Sequence, residues 1–313
     1  IGITLACSLL NVPSVRTGAM ATNLMSSIKI AALVAFCVFG PMLGRGDFSR
    51  LIPAAVAEGV SAPTLMGLGL AMSPVLFSYL GWNSSVYVAS EIRNPGRNLP
   101  ISLFGALAIC TGLYLAVNCV YLYALPLETM IGVVDAGRAS ALVLFGPVGG
   151  TLVGIFVLAS VLGTINATVL LGPRIVYSMA LDGLFFRSVA TVDPKFRTPV
   201  AAIWVQAMAT IGILLMLGSF PSALDFTTFA ILLASMADIV ALVRLRQREP
   251  DRARPYRAWC YPWVPGLYFL AMAAIAGTLI QGRPLECLLG AGMLAAGLPF
   301  YFLFHRRGRA TRD

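Results

Sequence analysis

Charged and catalytic side chains are both scarce in this chain. Only 11% of its 313 residues are Asp, Glu, Lys or Arg, whereas soluble domains carry about 25%. The chain holds one histidine, His305, and it contains no HExxH, GxSxG or P-loop motif and no paired acids within an apolar segment. These absences argue against a soluble domain and against an intramembrane enzyme, and we expect neither a cofactor nor a metal site.

The six cysteines show no spacing typical of metal ligands. All of them lie in or beside apolar segments, so we expect free thiols that pack as small hydrophobic groups. They are Cys7, Cys37, Cys110, Cys119, Cys260 and Cys287.

Apolar residues dominate what is present. The chain is 58% hydrophobic and its mean hydropathy is +0.86, values that indicate a polytopic membrane protein built from α-helices. A chain that begins inside an apolar segment without Met is expected to be the downstream part of a longer protein. We predict the end of one helix followed by eight complete spans, at about 1–11, 14–43, 62–90, 99–125, 150–177, 199–217, 224–243, 262–280 and 285–304.

The basic residues alternate between the two sides of the predicted membrane. If Arg16 is cytoplasmic, 17 Lys and Arg residues lie in cytoplasmic connections, four lie on the opposite side and Lys29 lies within a span. Cytoplasmic loops carry this excess in membrane proteins. The asymmetry predicts a multi-pass protein of the plasma or inner membrane with a cytoplasmic C-terminus. It also explains the net charge of +9 without a nucleic-acid partner.

One stretch is too long for a simple span. Gly59 to Ser90 runs for 32 residues without Asp, Glu, Lys or Arg, whereas about 20 residues cross the hydrocarbon core. Pro74 and Gly81 interrupt it, so we predict a discontinuous helix centred on residues 77–83. Unwound backbone at this depth is tolerated only where protein or water surrounds it, as in transporter binding sites. The alternative is a long tilted helix with a proline kink.

Lys29 is the most informative ionisable residue. It follows Arg16 by 13 residues, which places it about 20 Å along a helix at 1.5 Å per residue. A lysine this deep in the membrane should face the protein interior and mark a functional site. It is a candidate for coupling proton movement to transport, and the alternative is a structural lysine that donates to carbonyls of a broken helix.

Other polar residues have simpler interpretations. Asp225 lies near the start of a predicted span, where an acid favours a helix N-terminus. For Asn118, Asn166 and Gln206, which lie in apolar helices, we expect interhelical hydrogen bonds.

Two neighbouring motifs carry a resemblance to a known family. Phe77-Ser78-Tyr79-Leu80-Gly81-Trp82-Asn83, followed by residues 91–100 with the sequence EIRNPGRNLP, resembles the sixth helix and following loop of permeases of the amino acid-polyamine-organocation superfamily. The pattern is most similar to the L-type amino acid transporter branch and its bacterial relatives. Further matches occur in the expected order along the chain, at residues 11–29, 173–183, 198–199, 254–257 and 261–262.

The resemblance implies the LeuT-type fold, in which two inverted five-helix repeats precede two additional helices. The chain would then hold the end of the fourth helix and helices five to twelve. Its parts would be residues 1–43 as the remnant of the first repeat, 44–243 as the second repeat and 244–313 as the last two helices with a basic tail. The first helix of the family, which supplies half of its substrate site, would be missing, so no transport is expected from the 313 residues alone.

The resemblance also implies roles for individual residues. Phe77, Ser78 and Leu80 would supply carbonyl groups to the ammonium group of a substrate, and Phe77 would also be an aromatic gate. Asn83 would approach the substrate. Lys29 would match the family lysine that occupies the place of a sodium ion in sodium-coupled relatives, which argues against obligatory sodium coupling.

These observations predict a secondary active transporter of amino acids that works by alternating access, through proton symport or amino acid exchange. The predicted partners are an amino acid substrate, the lipid bilayer and, in a coupled mechanism, protons, with the oligomeric state left open. The alternatives are a non-transporting membrane scaffold or sensor, including an inactive truncated product, and, more weakly, a channel. Neither the Arg spacing of a voltage sensor nor a TVGYG-like filter is present.

Overall fold

The computed structural model describes residues 1–12, 15–51, 64–254 and 256–309. Within these ranges the chain forms ten α-helices, three short 3₁₀ segments and no β-strand. The 3₁₀ segments are Phe48–Leu51, Ser84–Glu91 and Arg187–Val189. The helices are α1 Gly2–Asn11, α2 Val15–Leu43, α3 Leu65–Ser78, α4 Pro95–Ala124, α5 Leu127–Met130, α6 Ala136–Leu181, α7 Val200–Leu217, α8 Phe220–Arg248, α9 Trp263–Gly282 and α10 Pro284–Arg309.

Seven of the described helices are long and apolar enough to cross a membrane, namely α2, α4, α6, α7, α8, α9 and α10. They correspond to seven of the eight predicted spans. The eighth is the interrupted stretch, whose α-helical part α3 has 14 residues. The prediction of an all-α polytopic membrane protein is therefore confirmed. Residues 59–63 of that stretch, the helix start at Ser14 and Pro255 of the 254–257 motif lie outside the described residues.

The chain divides into two compact units. The first comprises Ile1–Ala62, Gly105–Arg174 and Thr191–Ala207, and the second comprises Pro63–Phe104, Ile175–Ala190 and Met208–Asp313. This division follows packing, whereas the predicted parts 1–43, 44–243 and 244–313 follow inverted repeats. The predicted division therefore stays a prediction.

Each unit has its own apolar core. In the first unit, Phe36 of α2 packs against a cluster from α4 and α6 formed by Val120, Tyr123, Ala124 and Leu144. In the second unit, Leu70 and Leu76 of α3 pack against buried residues of α8, α9 and α10. That cluster consists of Phe229, Leu232, Met272, Ala276, Leu279 and Cys287. The short helix α3 is therefore held by three full-length helices.

The predicted start of α4 is wrong. We expected a span that begins after Pro100, but the helix begins at Pro95 and Pro100 lies inside it. Proline suits the first turn of a helix, where its missing N–H has no intrahelical partner. Asn94 just before it adopts a positive φ of 49°, and the Asn98 side chain donates to the carbonyl of Arg93 at 2.6 Å. Together these residues start the helix one turn earlier than the hydropathy indicates.

The long helix α6 contains a kink just before the span predicted at residues 150–177. Its backbone is non-helical at Gly146, with φ 74° and ψ −167°, so residues 136–145 and 147–181 are two helical pieces. The residue before a proline is disfavoured in the α conformation, and Pro147 follows the kink. The span predicted to begin at residue 150 therefore belongs to a helical piece that begins at Pro147.

The loop after α2 caps the end of α4. Arg50 donates to the carbonyls of Tyr123 and Ala124 at 3.3 and 3.0 Å, and the backbone N–H of Asp47 donates to the carbonyl of Tyr123 at 2.9 Å. A cation at this end also complements the helix dipole. Hydrogen bonds from Ser49 hold the pKa of the Asp47 carboxyl below its usual value, because they stabilise the ionised form.

Candidate functional site

In the second unit, helix α3 ends where the sequence predicts an interruption. The helix α3 ends at Ser78, residues 79–83 form turns, and a 3₁₀ segment begins at Ser84. Gly81 has a φ of +96°, a conformation that glycine adopts readily and other residues rarely adopt. The discontinuous helix is therefore observed, and the alternative of one continuous kinked helix is wrong.

The interruption is local and tightly hydrogen-bonded. Leu80 N–H donates to the Phe77 carbonyl at 3.1 Å, Trp82 N–H to the Tyr79 carbonyl at 3.4 Å and Ser84 N–H to the Gly81 carbonyl at 3.0 Å. Each bond closes over three residues instead of the four of an α-helix. Pro74 does not break the helix, because α3 continues for four residues beyond it.

All four residues predicted to bind substrate lie at this helix end. Phe77 and Ser78 are the last two residues of α3, and Leu80 and Asn83 lie in the turns that follow. Ser78 and Leu80 are exposed, whereas Phe77 and Asn83 are half-buried. The Phe77 ring makes an edge-to-face contact with Phe220 at the start of α8, at a centroid distance of 6.0 Å.

The end of α3 is suited to a cation. The last carbonyl groups of a helix lack intrahelical partners, and the helix dipole gives this end a partial negative charge. The Phe77 carbonyl accepts one backbone bond, and a carbonyl oxygen has a second lone pair for another donor. An ammonium group of a small ligand matches this set of acceptors.

Lys29 lies in the first unit, whereas the helix end lies in the second. Its Nζ donates to the hydroxyl of Thr164 on α6 at 2.8 Å, and that hydroxyl donates onward to the Ser160 carbonyl at 3.0 Å. Among the described residues, no carboxylate lies within ion-pairing distance of Lys29. A Cβ on Gly163 would lie 3.5 Å from Lys29 Cε, so a glycine next to Thr164 brings α2 and α6 close together. The sequence did not identify Thr164.

Side-chain amides on apolar helices of the first unit form interhelical hydrogen bonds. Asn11 Nδ2 donates to Asn166 Oδ1 at 2.8 Å, and Asn166 Nδ2 donates to the Thr22 hydroxyl at 3.2 Å. Gln206 donates to the Thr168 carbonyl at 3.2 Å. The interhelical bonds predicted for Asn166 and Gln206 are confirmed.

The interhelical bond predicted for Asn118 is wrong. Its Nδ2 donates at 2.7 Å to the Tyr114 carbonyl, one turn earlier in the same helix. An exposed amide on a helix satisfies itself in this way when no neighbouring helix is within reach.

Asp225 has a role beyond the one predicted for a helix N-terminus. It lies in the second unit and is 9% exposed. Its carboxylate accepts a hydrogen bond from Ser73 of α3 at 2.7 Å and faces Arg283 Nε at 3.3 Å. Buried charges require partners of this kind. No local pattern indicates these contacts, because the three residues lie far apart along the chain.

Within the part of the chain that the structure describes, no three His, Cys, Asp or Glu residues come together in a way that could hold a metal ion.

Comparison with known proteins identifies relatives along nearly the whole chain. The family model described as amino acid permease matches residues 1–284. The serine/threonine exchanger SteT of Bacillus subtilis is 30% identical over 302 residues, which cover 95% of this chain and 67% of SteT. The branched-chain amino acid permease BcaP of the same species is 27% identical, over 97% of this chain and 63% of BcaP.

A mammalian relative is similar to a lesser degree. The large neutral amino acids transporter small subunit 2 of Mus musculus is 26% identical over 298 residues, which cover 94% of this chain and 55% of the mouse protein. The chain therefore spans between 55% and 67% of the length of these three relatives. The names of the family and of these relatives are those of transporters and not of enzymes, which confirms the prediction that the chain is not an enzyme.

The left-handed turn at Gly81 can be tested by substitution. A Cβ at this position would meet only Ser84 Oγ at 3.6 Å, so the strain of Gly81→Ala comes from the backbone. We expect it to lower the free energy of unfolding in detergent by about 1–2 kcal/mol. Gly112→Ala in α4, where a Cβ meets open space, is the control and should cause no loss. Equal stability of the two variants would contradict the turn.

Proposed function

The chain belongs to the amino acid permease family, and we propose on this premise that it serves in a secondary active transporter of amino acids across the cell membrane. Transport would proceed by alternating access, as proton symport or as exchange of one amino acid for another. The observation that carries this proposal is the interruption of the membrane-embedded helix at residues 79–83.

The interruption has a physical reason in a transporter. Unpaired backbone groups cost several kcal/mol each in hydrocarbon, so an interrupted helix in a membrane protein is retained where its turns are hydrogen-bonded and a polar ligand or water meets its end. An amino acid is a zwitterion, and its ammonium group complements the negative end of a half-helix. In this proposal the carbonyls of Phe77, Ser78 and Leu80 receive the ammonium group, and Asn83 contacts the substrate through its amide.

Phe77 would close the site as an aromatic gate. Its ring is half-buried and packs edge to face on Phe220, so it has a defined position at the helix end. A change of rotamer would exchange this contact for one with the substrate.

Lys29 would provide the coupling. The amine is held by Thr164, and no described carboxylate neutralises it. A cation fixed within a span can substitute for a coupling cation, and loss of its proton would weaken the Thr164 contact, because the hydrogen bond would no longer be charge-assisted. This arrangement supports a mechanism that is independent of sodium. The name of SteT, a serine/threonine exchanger, favours exchange as the first mechanism to test.

The orientation in the membrane is also a proposal. Seventeen basic residues lie on one predicted side of the membrane and four on the other. This asymmetry supports a cytoplasmic C-terminus. The division into 1–43, 44–243 and 244–313 would correspond to the remnant of one repeat, the second repeat and two terminal helices.

Uptake into proteoliposomes tests the proposal. The complete protein encoded by the reading frame that holds this chain is reconstituted, and labelled neutral, cationic and aromatic amino acids are offered. Stimulation by unlabelled amino acid inside the vesicles would indicate exchange, and stimulation by an inward proton gradient would indicate symport. Binding of amino acids without uptake would favour a sensor, and background values for both binding and uptake would reject the transporter.

Replacement of Lys29 tests the coupling. We expect Lys29→Met, which keeps the length of the side chain, to lower uptake about tenfold or more, because it removes a charge-assisted hydrogen bond. Any remaining uptake should lose its dependence on pH. The control is Lys195→Met, the only other lysine of the chain, which lies in a loop and should leave uptake unchanged. An unaltered pH dependence in Lys29→Met would exclude the coupling role.

Replacement of Phe77 tests the gate. We expect Phe77→Ala to raise the KM of uptake about two- to tenfold, the range of a lost aromatic contact. Phe300→Ala is the control, because Phe300 is 56% exposed on α10 and should not affect KM. Identical kinetics of the two variants would show that Phe77 is not a gate.

A further inference from the structure

A buried carboxylate connects the interrupted helix to its neighbours within the second unit. Asp225, 9% exposed, accepts a hydrogen bond from the Ser73 hydroxyl at 2.7 Å through Oδ1, while Oδ2 faces Arg283 Nε at 3.3 Å. One carboxylate thus joins α3, α8 and the corner between α9 and α10. A buried charge is stable only where such partners replace its water.

Ser73 lies at a position that controls the end of α3. It is 1% exposed and precedes Phe77 by four residues, so the two side chains share one face of the helix. Along that face α3 contacts α8 at three places: the Ser73 hydroxyl donates to Asp225, the Ser73 carbonyl accepts from Thr228 at 3.5 Å, and Phe77 meets Phe220. The contacts advance in opposite directions along the two helices, which are therefore antiparallel here, and the proposed gate lies one turn beyond the polar contact.

The rest of the packing around α3 is steric and brings this helix close to α9. A Cβ on Gly69 would overlap Thr278 of α9, and a Cβ on Gly282 would overlap Leu70, so α3 and α9 approach closely through small residues. Apolar contacts of this kind are non-directional. The hydrogen bond from Ser73 to Asp225 is directional, and a rotation of α3 by one residue, about 100°, would break it.

The relative exposure of the two partners shows which contact matters more. Ser73 and Asp225 meet in the protein interior, whereas the Arg283 side chain is 55% exposed. A hydrogen bond to a charged group changes an equilibrium about 10- to 100-fold, and an exposed ion pair changes it about fivefold or less. The Ser73 contact therefore fixes the helix, and Arg283 compensates the charge of Asp225.

We propose that Asp225 is a positioning residue of the substrate site. Through Ser73 it holds α3 in the rotation that presents the carbonyls of residues 77–80 and the Phe77 ring to a substrate. It does not touch the substrate itself. This inference rests on the proposed function for its effect on transport, and on the structure alone for its effect on the helix end.

The matched test pair is Ser73→Ala and Ser222→Ala. Both remove a hydroxyl that donates to a carboxylate in the second unit, since Ser222 Oγ donates to Glu286 Oε1 at 3.2 Å. Only Ser73 belongs to α3. Alanine is the best helix former, so Ser73→Ala is expected to fold even where Asp225→Asn, the second variant, does not.

Transport kinetics provide the first measurement, in proteoliposomes with the complete protein. If Asp225 positions the site, Ser73→Ala raises the KM for the amino acid about tenfold, because only a fraction of molecules keep the competent rotation, while the maximal rate changes less than twofold. Ser222→Ala keeps the KM of the wild type. Asp225→Asn combined with Ser73→Ala raises KM no more than the larger single effect, because both substitutions break one contact. A KM unchanged in Ser73→Ala, with only a lower maximal rate or yield, overturns the proposal.

Hydrogen exchange of backbone amides provides the second measurement and needs no substrate. Ser73→Ala should accelerate exchange at residues 75–84 at least about fivefold and leave unchanged the amides of residues 105–124, the part of α4 in the other unit. Ser222→Ala should leave residues 75–84 as in the wild type. Equal exchange in the two variants overturns the positioning role. If the wild type shows no uptake but Ser73→Ala still accelerates exchange at residues 75–84, the transporter proposal fails and the positioning of the helix end stands.

Discussion

An interrupted helix inside a membrane has to satisfy its own backbone. In water, the N–H and C=O groups of residues 79–83 would bond to solvent, but in hydrocarbon each unpaired group costs several kcal/mol. The chain meets this constraint with tight turns in which Leu80, Trp82 and Ser84 donate to carbonyls three residues earlier. The same constraint limits what can follow: the helix end must be enclosed by protein or meet a polar ligand.

The ionisable side chains of the two units have different partners. In the first unit, Lys29 donates to a neutral hydroxyl on α6, and none of the described carboxylates forms an ion pair with it. In the second unit, Asp225 is matched by a hydroxyl and a guanidinium group. The charge of a cation that no carboxylate pairs with responds more readily to a proton or an added ion than the charge of an anion that already has partners. This difference supports a coupling role for Lys29 and a positioning role for Asp225.

Family membership and local geometry contribute separate parts of the functional argument. The match to amino acid permeases over residues 1–284 establishes the family, and relatives at 26–30% identity include an exchanger and a permease. A shared fold does not fix a substrate. The geometry adds a reason for the class of ligand, because a helix C-terminus with carbonyl acceptors and a nearby aromatic ring suits the ammonium end of an amino acid.

The sequence by itself determined the membrane class, the seven long apolar helices and the position of Lys29 within one of them. All of these depend on composition, on the length of apolar runs and on residues that are neighbours along the chain. Local pattern placed the helix starts less well, as at Pro95 and Pro147, because proline in a first turn and proline in a kink look alike in hydropathy.

Only the tertiary structure decided which polar residues meet. Ser73 and Asp225 are 152 residues apart in the chain, and Lys29 and Thr164 are 135 apart, so no local pattern links them. It also decided between a kinked and an interrupted helix, because Pro74 is compatible with both, and it showed that Asn118 bonds within its own helix. Contacts of this kind depend on which helices pack together, and packing is a property of the folded chain rather than of any one segment.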